Sequence, residues 1–126
     1  MLAGSKADLK NQEFLTQALQ QVEKMGFEEI KACHNDYEEP AAFSLKGEDL
    51  TFTPDITASK MGGRYYFEIA NRTEDRRLVQ GKWKLLETLA RMKNGELKIF
   101  VPRGSMKFTT EMLALSHIQA SLIKLN

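Results

Sequence analysis

Residues 51–70 read Thr51-Phe52-Thr53-Pro54-Asp55-Ile56-Thr57-Ala58-Ser59-Lys60-Met61-Gly62-Gly63-Arg64-Tyr65-Tyr66-Phe67-Glu68-Ile69-Ala70. From Thr51 to Ser59, Phe52, Pro54, Ile56 and Ala58 alternate with Thr53, Asp55, Thr57 and Ser59, the period of two that marks a half-buried strand. Met61-Gly62-Gly63-Arg64 supplies a tight turn, because glycine accepts positive φ. From Arg64 to Asn71 the period continues: Tyr66, Glu68 and Ala70 share one face, and Tyr65, Phe67 and Ile69 the other. The stretch is a β-hairpin with one carboxylate on each strand, Asp55 and Glu68. Pairing across the turn brings them to the same face.

The flanking sequence supplies helices. Between Asp8 and Met25, residues Phe14, Leu15, Ala18, Leu19, Val22 and Met25 recur at helical spacing, with Asp8 as a cap and Gly26 as a stop. A strand is expected over Phe27–His34, an acidic loop over Asn35–Pro40 and a short strand over Ala41–Leu45, closed by Lys46-Gly47-Glu48-Asp49. After the hairpin, Glu74–Met92 reads as a second helix capped by Thr73 and stopped by Asn94-Gly95. Its apolar positions include Leu78, Val79, Trp83, Leu86 and Ala90; Arg77, Gln80, Lys84, Glu87 and Arg91 fall opposite. Glu96–Val101 is a buried strand ending at Pro102. A third helix is expected from about Thr109, with Phe108 and Leu113 as a hydrophobic staple. Ala120–Leu125 fits either a final strand or the end of that helix. The sum is one α/β domain with a mixed sheet.

The chain has 126 residues, a net charge of +1 and one cysteine, Cys33, so no internal disulfide forms. No apolar run approaches the roughly 18 residues of a membrane span. The first residues lack the apolar centre of a signal peptide. A cytoplasmic protein without a membrane role is the expectation. Residues 1–56 carry five lysines against eleven acids, a net of −6, whereas residues 72–107 carry ten bases against four acids, a net of +6. The basic region suits a polyanion, although the overall surplus is small for a protein that binds nucleic acid without sequence preference. No Gly-rich phosphate loop or Gly-x-Ser-x-Gly elbow is present, and His34 and His117 lack metal-ligand spacing. Trp83, Tyr65 and Tyr66 are expected in the core or sheet rather than as base-stacking platforms.

Asp55 and Glu68 are the residues with a clear chemical use. Hard divalent cations such as Mg²⁺ prefer oxygen ligands and are commonly held by one or two carboxylates plus substrate phosphate. Helix, strand meander with Pro54-Asp55 and then Glu68-Ile69-Ala70, and helix with Gln80 resemble the PD-(D/E)XK nuclease superfamily over roughly residues 8–101. The resemblance implies a restriction-endonuclease-like core. It implies Asp55 and Glu68 as ligands of Mg²⁺ or Mn²⁺, Gln80 beside the site, DNA as substrate and a homodimer. Arg72, Arg76 and Arg77 would then meet phosphates.

The motif lysine is replaced by Ala70. Either the lysine has moved, with Lys84, one turn after Gln80, as the expected replacement, or the domain keeps the fold for binding a protein or nucleic-acid partner without catalysis. A third alternative, a generic α/β interaction domain, requires Asp55 and Glu68 to lie far apart.

Overall fold

Pro54 has no N–H to donate to a sheet ladder, and the strand expected over Thr51–Ser59 is interrupted there. In the computed structural model, which describes residues 6–45 and 50–125, Thr53-Pro54-Asp55 is a bend between two strands. The chain runs α1 (Lys6–Lys24), β1 (Glu28–Ala32), β2 (Phe43–Leu45), β3 (Leu50–Phe52), β4 (Ile56–Lys60), β5 (Gly63–Ile69), α2 (Arg76–Met92), β6 (Leu97–Val101), α3 (Met106–Leu115) and β7 (Ser121–Lys124). Among the described residues β2 and β3 pair only with each other, as a separate two-stranded arm. The expected Lys46–Asp49 closure lies outside the described residues.

The main sheet has the order β1-β4-β5-β6-β7. β1, β4 and β5 form an antiparallel meander, and β6 and β7 add in parallel to β5. The sheet is therefore mixed, as the hairpin followed by a helical crossover requires. Its strands bury both faces. Leu15, Ala18, Leu19 and Val22 of α1 pack with Ile56, Ala58, Phe67 and Phe100. Val79, Trp83, Leu86 and Ala90 of α2 pack with Tyr66, Leu97, Ile99 and Val101, and Phe108 and Met112 of α3 close the same layer. Trp83 and Tyr66 belong to this core, as their sequence context indicated; Tyr65 lies partly buried against the other.

Several ends differ from the expectation for local reasons. α1 is already helical at Lys6, so Asp8 lies inside its first turns rather than at its cap. The cap of α2 is Asp75, whose carboxylate accepts from the backbone N–H groups of Arg77 and Leu78. Thr73 is unavailable for that role because its hydroxyl and N–H both donate to Asn71 Oδ1. α3 begins at Met106, and the Thr109 hydroxyl donates back to the Ser105 carbonyl within it. The tail forms β7, whose pairing with β6 resolves the two alternatives in favour of a strand.

The end of α2 is joined tightly to the start of β5. Arg64 N–H donates to the Lys93 carbonyl, and a Cβ on Gly95 would sit 1.6 Å from the Arg64 carbonyl oxygen. Only glycine fits that approach. The junction fixes where Arg64 and Lys93 stand.

Candidate active site

Asp55 stands in the bend before β4, and Glu68 near the C-terminal end of β5. The antiparallel register sets Ile56 opposite Phe67, so the carboxylates meet just beyond the last paired residues. Two reciprocal hydrogen bonds lock them. Asp55 N–H donates to Glu68 Oε2 at 2.9 Å, and Ile69 N–H donates to Asp55 Oδ2 at 2.8 Å. The Cys33 N–H also donates to the Asp55 carbonyl at 3.2 Å, tying the bend to the end of β1. The bend that Pro54 forces therefore aims the Asp55 carboxylate across to β5.

The expected replacement lysine is not at this pair. Lys84 Nζ bonds Glu87 Oε1 at 3.1 Å, and the Glu87 carboxylate accepts the Gln119 N–H. The lysine beside the carboxylates is Lys82, whose Nζ is 3.9 Å from Glu68 Oε1 and 2.5 Å from Glu74 Oε2. At about 100° per residue, positions 80 and 82, like 82 and 84, are about 200° apart on a helix. Gln80 and Lys84 share the flank of α2 that carries Glu87, and Lys82 occupies the other. The sequence held a signal for this. Lys82 is four residues after Leu78, three before Leu85 and seven before Leu89, a single cation on an otherwise leucine-lined flank.

Burial and mutual repulsion govern the electrostatics. Burial pushes the Asp55 carboxyl up to about 6, against the Ile69 N–H and the Lys82 charge, which favour the anion. Burial and then the Asp55 charge hold the Glu68 carboxyl well above the usual range. Burial draws the Lys82 ammonium down, but the charges of Glu68 and Glu74 outweigh it, and Lys82 holds its proton more tightly than an ordinary lysine. Metal-free, the site has two carboxylates that resist becoming charged together.

This carries a stability signature. Asp55 binds a proton more tightly in the folded chain than in the unfolded one, so stability falls as pH rises from about 4 to about 6. The effect is on the order of 1–3 kcal/mol. Asp55→Asn keeps an acceptor for Ile69 and removes the titration. We expect the metal-free variant to melt above the wild type at pH 8 and to lose the Asp55 part of this slope in a melting series across pH 4–8, the part from buried Glu68 remaining. A wild-type advantage at every pH would contradict the expectation.

The donor set fits a hard divalent cation. No hydrogen bond among the described residues reaches Asp55 Oδ1 or Glu68 Oε1. No buried side-chain oxygen among those residues lacks a hydrogen-bond partner, so these two oxygens touch solvent. They are rigidly held and offer the two carboxylates that Mg²⁺ or Mn²⁺ takes, with water or substrate completing the shell. No group of three or more His, Cys, Asp or Glu among the described residues forms a metal cage.

The expected phosphate contacts are differently engaged. Arg72 donates to the Gly104 carbonyl at 3.3 Å and is exposed. Arg76 pairs with Glu111 at 3.4 Å and lies over the Phe108 ring. Arg77 is exposed at the first turn of α2. Ala70 is in the core beside Val79, Trp83 and Val101. Searches against family models, curated proteins and solved structures find no match to this chain. The functional reading therefore rests on the site itself.

Proposed function

We propose that this chain is a metal-dependent nuclease of the PD-(D/E)XK type acting on DNA, with Asp55 and Glu68 as ligands of Mg²⁺ or Mn²⁺ and Lys82 in the role left vacant by Ala70. The observation that carries the reading is the convergence of two carboxylates, each accepting a backbone N–H, and one half-buried ammonium at the end of β5. The order α1, antiparallel meander, α2 and parallel β6 supports a restriction-endonuclease-like core. A bound cation polarises a phosphoryl oxygen and lowers the pKa of its water. Lys82, charged and low in solvent exposure, offsets negative charge that develops on the phosphate. Asp55 and Glu68 are held in place before substrate arrives, so little reorganisation accompanies reaction. Arg72 before α2, and Arg76 and Arg77 at its start, would contact flanking phosphates, and a homodimer would present one site to each strand.

A second reading, a nuclease-fold module that binds without cutting, is favoured by one observation. Glu74 holds Lys82 at 2.5 Å, closer than Glu68 does. Incubation of wild type and Asp55→Ala with duplex, single-stranded and branched DNA in Mg²⁺ or Mn²⁺ separates the two. Cleavage by the wild type alone supports the nuclease. DNA binding by both proteins, with no cleavage by either, supports the binding module. No helix among the described residues is long and apolar enough to cross a membrane.

A further inference from the structure

On the α2 side of the sheet, lined by Thr57 and Tyr66, each two residues along the chain from one carboxylate of the pair, lies a cavity of about 180 Å³. Its floor is a row across three strands: Lys31 of β1 is opposite Thr57 of β4, and Thr57 is opposite Tyr66 of β5. Residues paired across antiparallel strands present side chains to the same face. The bulge between Glu28 and Lys31, where Glu29 adopts φ 52°, brings Lys31 into this register. Arg64, one step along the face from Tyr66, and Lys93 at the end of α2 close one side. Ala41, just before β2, and Phe43 of β2 also line it, with the Phe43 ring edge-on to Tyr66.

The chemistry of the lining is one-sided. It contains three cations and no carboxylate. Lys31 has a loose, exposed partner, Glu38, at 3.6 Å. Among the described residues no ion pair joins Arg64 or Lys93 to an acid, although Glu28 and Glu29 border an adjoining recess that both cations also line. Thr57 is 5% exposed and Tyr66 3%, yet no hydrogen bond reaches either hydroxyl among the described residues. No buried side-chain oxygen there is left without a partner, so both hydroxyls open onto space, and the space their residues line is this cavity. Every polar side chain in the lining can donate: ammonium, guanidinium and hydroxyl. Hydroxyls that open onto a cation-lined space can donate to an oxyanion placed there.

We infer that this cavity is a phosphate-binding site, with Arg64 and Lys93 as its main charges, Lys31 in support, and the Thr57 and Tyr66 hydroxyls as neutral donors. Arg64 presents a fork suited to two phosphate oxygens. The site does not require a cation at Asp55 and Glu68 and goes beyond the nuclease reading. Thr57 is two residues from Asp55, about 7 Å along a strand. The phosphate is therefore either a free small anion or one in a nucleic-acid backbone that also reaches the carboxylates.

The test uses metal-free protein and two probes. Inorganic phosphate is titrated calorimetrically and by backbone amide NMR; a short single-stranded oligonucleotide is titrated by fluorescence anisotropy. The wild type should bind phosphate saturably, with shift changes centred on residues 31, 57, 64, 66 and 93. Arg64→Gln/Lys93→Gln should weaken it by about tenfold or more, the effect of losing charge-assisted hydrogen bonds. Tyr66→Phe should weaken it a few-fold, and Lys107→Gln, a charge change on α3, should leave it unaltered. Parallel loss of oligonucleotide affinity identifies the backbone phosphate as the source; loss for inorganic phosphate alone identifies a free anion. No saturable phosphate binding by the wild type, shifts spread over the basic surface, or equal loss in Lys107→Gln would overturn the inference. The NMR map reads the wild type itself, so the outcome stands even if the double variant folds poorly.

Discussion

Lys82→Met is expected to lower metal-dependent cleavage by about 10²–10³-fold while leaving cation binding intact or a few-fold tighter, the pattern of a lost transition-state contact. The direction of the binding change follows from charge. The ammonium is 3.9 Å from Glu68 Oε1 and repels any cation held there. A merely structural lysine would not separate the two readouts. Its removal would loosen the carboxylates and weaken cation binding together with cleavage. Lys84→Met is the matched control, because that ammonium serves Glu87 on the opposite flank of α2. Cleavage and cation titration, both at saturating substrate, check the pair. Loss of activity in Lys84→Met and not in Lys82→Met would assign the lysine to the other flank and contradict the account.

Ala70→Lys is expected to destabilise the fold by roughly 2–4 kcal/mol without raising cleavage, since it combines overpacking with burial of a charge. Ala70 is 2% exposed among Val79, Trp83, Val101 and Phe108, and its N–H donates to the Phe100 carbonyl. A lysine stem has no open volume there. On the proposed nuclease reading, core packing has absorbed the motif position and Lys82 of α2 supplies the charge. Thermal melting should show a drop of roughly 5–15 °C for a domain of this size. An unchanged melting temperature with increased cleavage would show that position 70 still belongs to the site.

The helices and the hairpin were legible because each rests on a long, consistent period. Leu15 to Val22 and Val79 to Ala90 repeat at 3.6, and Tyr65 to Ile69 alternates. The pairing of Asp55 with Glu68 followed from that alternation. Its actual geometry did not, because a period of two says nothing about Pro54 breaking the strand. That break moves Asp55 into a bend and swaps a simple cross-strand neighbour for a reciprocal backbone clamp. The cap of α2 was misread for a competing local bond, Thr73 to Asn71. Lys84 was the lysine expected near the pair because it lies on the evidently polar side, whereas the structure brings Lys82 there and pairs Lys84 with Glu87. Lys82 is set among leucines, where a charge is unusual and therefore informative. The cation-lined cavity was beyond sequence reasoning, since Lys31, Arg64 and Lys93 are brought together by a bulge and a glycine junction that no periodicity encodes.

The central claim is that Asp55 and Glu68 together hold a divalent cation, and the most direct measurement is a calorimetric Mn²⁺ titration of wild type and Asp55→Asn at pH 8. The account predicts one saturable site in the wild type, lost in a variant that remains folded and melts at a higher temperature when metal-free. Equal Mn²⁺ affinity in the two proteins, or no binding to either at millimolar concentration, would contradict it.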